Sequence, residues 1–558
     1  MKIINFKNTI LALYLILAFF LLLKNSYSYL DPDLGWHLKI GEEIVKTKKL
    51  PNVENHDFTL SGKEWVDHEW LINAITFSLY SRLGYGTVSI FFALLIILSL
   101  VLLYFLIKEE ILEKYKKRGL SLSAAKFLIT LIPLQLFGLI ASFPSWGVRM
   151  QEISALGLVL TLLIISYYTR RRAQKQKTNI LFWLPPLFYL WACLHAGFLI
   201  GLFIIFFWPA IKITENLLFR INFFHKTLKL NFKNKLSAKD IAKFLFFSAI
   251  TLILTLLTPY GLKLYGFLKS YGNTFYLTSI NEWLPFYYYP IQYKQIVYIA
   301  IVSAFLLLII IFALRKKGGE GIKLDLWDFS LAVFFIFLAL KSRRHFPLLF
   351  IVSLPLLVKF IFDYFILPAE IAAKKSFSLS GRYLFFIKFY LSAALIFNIF
   401  LIGLSLRPAA DPFSFFCQQY PCAATDFLKN KGESGGNFFA EYSWGGYLIW
   451  KWPGKKLFID GRLPQYPFAG RTLLEEYIEF FKENKAEEKL KEYDIKLVLL
   501  KDDQKKIKLN WLNKKFFKFN EENMNKNENH LRDYLDNSKN WQLSYRDGVS
   551  RVYEKIIK

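Results

Sequence analysis

Only three of the 558 residues are cysteine, too few for a disulfide scaffold. Acidic residues are also short: 43 Asp+Glu stand against 71 Lys+Arg, a net charge of +28. The usual catalytic signatures are missing. There is no GxxxxGK[ST] phosphate loop, no HExxH zinc site and no GxSxG nucleophile elbow, so ATP-driven and serine-hydrolase chemistry lack their machinery. No repeat of solenoid period occurs. Acids at the centres of apolar runs, expected of a proton-coupled carrier, are scarce. What the chain has is apolar mass: 54% is hydrophobic, with 57 Phe and 31 Tyr, above the about 45–50% of a soluble domain. That mass excludes a disordered chain.

The charges lie between apolar runs. Runs occupy 9–23, 86–107, 123–141, 152–168, 179–194, 196–211, 244–258, 295–314, 326–340, 346–367 and 383–406. Most approach the ~20 residues that cross a bilayer as a helix, which predicts about eleven spans. Pro185, Pro186 and Gly197 leave the split within 179–211 open. Basic clusters follow alternate runs: Lys108 to Arg118, Arg170 to Lys177, Lys212 to Lys239, Arg315 to Lys323, and Lys374 to Arg382. The positive-inside rule puts these in the cytoplasm, with the N-terminus inside and residues 407–558 outside. The +28 therefore sets orientation and is no sign of nucleic acid. Segment 1–28 has the charge and length of a signal peptide. Without a clear small-residue cleavage site, it reads as an uncleaved first helix.

Two outer regions follow. One is the loop 24–68, continued by a helix over about 69–83 that is amphipathic enough to lie on the membrane. The other is residues 407–558, a small α/β domain after the membrane domain 1–406. KLFID (456–460) and IKLVLL (495–500) read as strands flanking a helical pattern at 470–492. Asp547-Gly548 reads as a type I′ hairpin turn. Residues 501–540, rich in Lys and Asn, read as loops. The Gly445-Gly446 pair reads as a tight turn. Asp460 and Arg462 either pair with each other or contact a sugar. Cys417 and Cys422 can join in an oxidising compartment, while Cys193 packs within a span.

Polar chemistry gathers on the outer side. Of seven histidines, His37, His56, His68, His195 and His345 fall at or near it. Any one of them can equally be an interfacial ring. The first outer loop carries Asp31 and Asp33 directly after the first span, then His37, His56, Asp57, His68 and Glu69 among three tryptophans. A carboxylate at a helix end near the bilayer is partly desolvated and more basic. That suits a general base on an acceptor hydroxyl. Asp31 and Asp33 could also hold a divalent metal ion. A plain polar stop after a helix is the competing reading for either one alone. Arg149, Arg343 and Arg344 lie in short outer loops, against the orientation rule. Guanidinium groups bind phosphate through paired hydrogen bonds, though headgroups, Glu282 or Asp33 are alternative partners. Glu282 is a possible second acid, and His195 sits at a span junction among small residues.

These features together resemble the GT-C superfamily of membrane glycosyltransferases, which includes protein O-mannosyltransferases, aminoarabinose transferases and oligosaccharyltransferase catalytic subunits. The pattern DPDxxWHLxxGxxI…LPxxxxxxFTLSGKEWVxHEWL, with LHAGF, PYG, EW, RRH and GGYLIW…DGR, is similar to a poorly characterised bacterial branch of it. The resemblance implies a polytopic α-helical membrane protein of the cytoplasmic membrane. It implies sugar transfer from a polyprenyl-phosphate donor to a glycan, lipid or protein acceptor. A first-loop Asp would stand at the reaction centre, Asp31 in the matching position and Asp33 second. The usual Asp-Glu pair is absent, which leaves the base open between them. Arg149, Arg343, Arg344, His195, Glu282 and His345 would line the donor site. A non-enzymatic transporter, flippase or assembly factor, or a lipid-linked glycan polymerase or ligase, are the alternatives.

Overall fold

The computed structural model describes residues 6–220, 231–232, 236–272, 274–314, 323–372, 416–432, 436–502, 507–525 and 529–556, with positions 389, 392, 393, 396 and 413. Two compact units emerge, each assembled from three stretches of sequence.

The first unit comprises Met1–Tyr29, Ser89–Gly261 and Glu282–Arg407 and is helical. Among the described residues, seven helices are long and apolar enough to cross a membrane. The others among its apolar runs form helices that are shorter or more charged, including Leu184–Leu194, Ala238–Thr255 and Leu326–Lys341. The run 179–211 divides at His195–Gly197, between Leu194 and Phe198. The eleventh expected span, 383–406, lies almost wholly outside the described residues, as do Lys226, Arg315, Lys374 and Arg382 of the basic clusters. Helix ends are tied by charge pairs: Lys359 to Glu110 at 2.7 Å and to Asp328, Lys114 to Asp363, and Lys126 to Glu370. Arg172 meets Asp240 at 2.6 Å.

The Trp70–Lys117 helix is broken at Gly84, whose φ of 76° a side chain would resist. The stretch before that break covers the helix expected over about 69–83.

The second unit comprises Leu30–Val88, Leu262–Asn281 and Pro408–Lys558. Its sheet has four strands: β1 (Asn437–Ala440), β2 (Ile495–Lys501), β3 (Trp541–Arg546) and β4 (Ser550–Lys555). Their order is β1-β2-β4-β3, with β1 parallel to β2 and the other pairs antiparallel. The Leu497–Leu500 face and back of β2 are both buried, as an interior strand's must be. Phe439 of β1 stacks on Phe480 at 4.3 Å and on Tyr477 at 5.2 Å, forming an aromatic core.

Several local expectations are corrected here. KLFID is not a sheet strand. Leu457 bridges Asp57 in parallel, so this segment pairs with the first loop instead. The helical pattern at 470–492 forms two short helices, Leu473–Glu479 and Ala486–Glu492. Asn484, in the left-handed region at φ 60°, lies in the turn between them. The hairpin β3–β4 forms, but neither Asp547 nor Gly548 adopts the positive φ of a type I′ turn. Instead the Asp547 carboxylate accepts the Val549 and Ser550 N–H groups at 2.8 and 2.6 Å, an Asx-type turn. Cys417 and Cys422 are joined as a disulfide.

Candidate functional site

In the second unit the first loop and the segment 457–462 build one polar centre. The Phe58 N–H donates to Leu457 O and the Leu457 N–H to His56 O, both at 2.9 Å. Asp460 and Arg462 bond to each other, and Gly461 between them packs on Asp33.

Around that pair lies a buried charge cluster. Glu54, Asp57 and Asp460 are 0% exposed and Arg462 only 3%. The Arg462 guanidinium donates to Asp460 and reaches the two Glu54 oxygens at 2.8 and 2.9 Å. It also lies 4.9 Å over the Trp65 ring. Glu54 further accepts the His56 and Asp57 N–H groups at 2.5 and 2.8 Å. Of the two readings of Asp460 and Arg462, the pairing is what forms. Burial would raise the Asp460 pKa, but Arg462 outweighs it and holds the carboxyl below its ordinary value. Asp57 behaves oppositely. Burial, then Asp460 and Glu54, push its pKa well above the carboxylate range.

Against Gly461 lies Asp33. A Cβ at Gly461 would stand 2.2 Å from Asp33 Oδ1, so the carboxylate in this position packs directly on the glycine. The neighbouring backbones also approach closely. A Cβ on Gly35 would meet Gly446 O at 2.1 Å, and one on Gly446 would meet Pro32 O at 2.3 Å. Gly445 and Gly446 therefore do not make a tight turn. They open the Gly445–Lys451 helix and let it lie directly on the Leu34–Thr47 helix. Asp31 accepts the Asp33 N–H at 2.9 Å, which shapes the start of the Leu34–Thr47 helix. The Asp33 carboxylate makes no capping bond to that helix. Tyr442 is close enough that burial, together with Asp33 and Asp460, holds its phenol protonated.

Two histidines of the first loop meet on one carboxylate: His37 Nδ1 lies 3.9 Å and His68 Nε2 3.8 Å from Glu69. His37 Nδ1 bonds Asn73 Oδ1 at 2.7 Å, and the Asn73 amide donates to Asp67 at 2.9 Å. Burial pushes the His37 pKa down to about 3, so the ring is neutral. Burial pushes the Asp67 carboxyl up to about 6, against the Glu69 N–H and the Asn73 amide. The His68 ring is 5.5 Å from that of Phe267. His56 Nε2 lies 3.3 Å from Glu43.

In the first unit a separate cluster forms. Glu282 brings Arg149, at 3.2 Å, and Arg344 onto one carboxylate. Burial favours the acid form of Glu282, but the two guanidiniums lower its pKa overall. Arg344 also lies 4.8 Å over the Trp283 ring, and His345 is 5.9 Å from that ring. Arg343 does not join them. Its guanidinium donates to the carbonyls of Leu284, Pro285, Tyr288 and Pro290 at 3.1–3.4 Å, bracing that loop. His195 stands apart from the Glu282 contacts. Its Nδ1 accepts from the Gly197 N–H at 2.9 Å and meets the Ser154 hydroxyl at 2.7 Å, which Trp191 in turn donates to. It thus stitches the helix junction.

Sequence reasoning singled out neither Glu54 nor Asp67 and Asn73. Glu54 could have been found only through Arg462, 408 positions away.

No family model matches the sequence, and no curated protein matches it. Among solved structures, the chain is similar to the Archaeoglobus fulgidus oligosaccharyltransferase in the apo form. That match has 10% identity, covers 90% of this chain and 70% of that one, and has a TM-score of 0.49. The archaeal oligosaccharyltransferase AglB from Archaeoglobus fulgidus, in complex with an inhibitory peptide and a dolichol-phosphate, is a second. It has 11% identity, covers 88% and 69%, and has a TM-score of 0.42.

Proposed function

We propose that the protein is a GT-C-type glycosyltransferase of the cytoplasmic membrane, taking a sugar from a polyprenyl-phosphate donor to a hydroxyl acceptor. Its N-terminus lies inside and residues 407–558 outside. The observation that carries the reading is the convergence of Arg149 and Arg344 on the single carboxylate of Glu282. A phosphate arriving there meets two guanidiniums at once, the arrangement that binds phosphate oxygens and stabilises a leaving charge. Arg343, engaged by carbonyls, positions the loop.

Asp33 is the base. Its carboxylate is seated against Gly461, whereas Asp31 accepts the turn N–H. The acceptor oxygen attacks the anomeric carbon, and Asp33 takes its proton. The bond from that carbon to the phosphate oxygen breaks, and the polyprenyl phosphate leaves with the electron pair. Because the donor is already activated, no nucleotide site is required.

The test is transfer from a labelled polyprenyl-phosphate sugar by the purified protein in liposomes. Asp33→Asn is expected to lower the rate about 10²–10⁴-fold, the usual contribution of a positioned base. Asp31→Asn should lower it far less. Full activity in Asp33→Asn would remove the base assignment. A wild-type protein inert with every such donor, while moving the intact lipid across the bilayer, would favour transport.

A further inference from the structure

The cluster beside Gly461 is a poor end state for three acids. Glu54, Asp57 and Asp460 each offer an oxygen, and these lie within 4.8 Å of one another. Three carboxylates face one guanidinium, Arg462, and all four groups are buried. Glu54 and Asp460 are spoken for by Arg462 and by backbone N–H groups. Asp57 is not: both of its oxygens are buried and accept no hydrogen bond. A buried acid facing two others is left uncompensated unless a proton or a cation sits among them.

We propose that Glu54, Asp57 and Asp460 form a binding site for a hard divalent cation, with Arg462 as a fixed fourth charge. A divalent ion balances the three acids and the one guanidinium. Carboxylate oxygens are the ligands such ions prefer. Ca²⁺ accepts flexible, irregular oxygen sets at about 2.3–2.6 Å, whereas Mg²⁺ demands near-ideal octahedral geometry at about 2.0–2.1 Å. Ca²⁺ is therefore the favoured occupant. The ion would lock the first loop to segment 457–462, two stretches far apart in the chain. It would thereby hold Gly461, and the Asp33 carboxylate packed on it, in place. This role differs from that of a metal on Asp31 and Asp33, and it does not depend on the transferase reading.

The experiment uses the full-length protein in detergent, stripped with chelator and dialysed against Ca²⁺ or Mg²⁺. Bound metal is counted by elemental analysis, and unfolding is followed by temperature. One Ca²⁺ per chain is expected, with a melting temperature that rises with Ca²⁺ concentration and rises less with Mg²⁺. Asp57→Asn keeps the shape of the side chain but removes its charge. It should retain the helical far-UV spectrum, bind no stoichiometric Ca²⁺ and lose the Ca²⁺-dependent shift. Glu54→Gln is the second variant, expected to behave the same way. Two outcomes overturn the proposal. One is a wild-type protein that holds no metal and melts unchanged with Ca²⁺ or chelator, while Asp57→Asn is as stable or more so. In that case a proton shared by Asp57 and Asp460 fills the role. The other is undiminished metal binding in both variants.

Discussion

The two units treat a buried arginine in opposite ways. In the second, Arg462 is enclosed by the carboxylates of Glu54 and Asp460, and acids outnumber bases around it. In the first, Arg343 is held by four backbone carbonyls, while Arg149 and Arg344 share Glu282. Carbonyls satisfy a guanidinium's donors without cancelling its charge. Carboxylates cancel it as well. The first unit thus sets two guanidiniums against one carboxylate at Glu282. The second concentrates negative potential, suited to a cation or to proton transfer.

That contrast can be broken by substitution. Arg462→Met should be the most damaging, because it strands buried carboxylates. The expected loss is about 3–5 kcal/mol, read as a fall in the denaturant midpoint of the detergent-solubilised protein. Arg343→Met leaves only neutral carbonyls short of a donor and should cost about 1–3 kcal/mol. Equal losses would show that the two environments are energetically alike. Smaller again is the effect on donor binding. Arg149→Gln and Arg344→Gln should each raise the donor KM about tenfold, near 1.4 kcal/mol, with the fold unchanged. An unaltered KM in both would detach this pair from the phosphate.

A further effect lies in the pH dependence of the second unit. His37, depressed to about 3, adds stability that is complete above 6.5 and drains away as the pH falls toward 3. Asp67, raised to about 6, acts the other way. Its contribution is greatest below 3.8 and declines as the pH rises to about 6. Between pH 4 and 6 the two slopes oppose, each limited to about 1.4 kcal/mol per pH unit. Asp57, raised as well, adds its slope to that of Asp67 when no cation is bound. His37→Gln should gain stability on going from pH 6 to pH 4, measured by chemical denaturation across buffers. A loss instead would mean that Asp67 is already charged in the folded state.

How much of this could be read beforehand varies by feature. Apolar runs announce their own helices, because a span's signal is local. The α/β character of the C-terminal stretch and the disulfide were legible for the same reason. The crowding of acids and histidines after the first helix marked the loop that carries Glu54 and Asp57 of the buried charge cluster. It did not separate Asp33, set against Gly461, from Asp57, set against Asp460. Gly445 and Gly446 illustrate the difficulty. Glycine signals either a turn or a close approach, and only the partner backbone, here Pro32 and Gly35, decides between them. The Asp547 turn failed for another reason: a side chain that accepts two N–H groups replaced the backbone geometry its dipeptide favours.

The scattered make-up of the second unit also matters while the chain is being made. Glu54 and Arg462 are 408 residues apart. At about 5–20 residues per second, the ribosome takes roughly 20–80 s between them. For that interval the first loop exists without its counter-charge, held only by local turns. Its acids therefore stay hydrated and open to other ligands until the far end of the chain emerges. The loop precedes its counter-charge by 408 residues, so a product truncated before Arg462 should leave it unfinished.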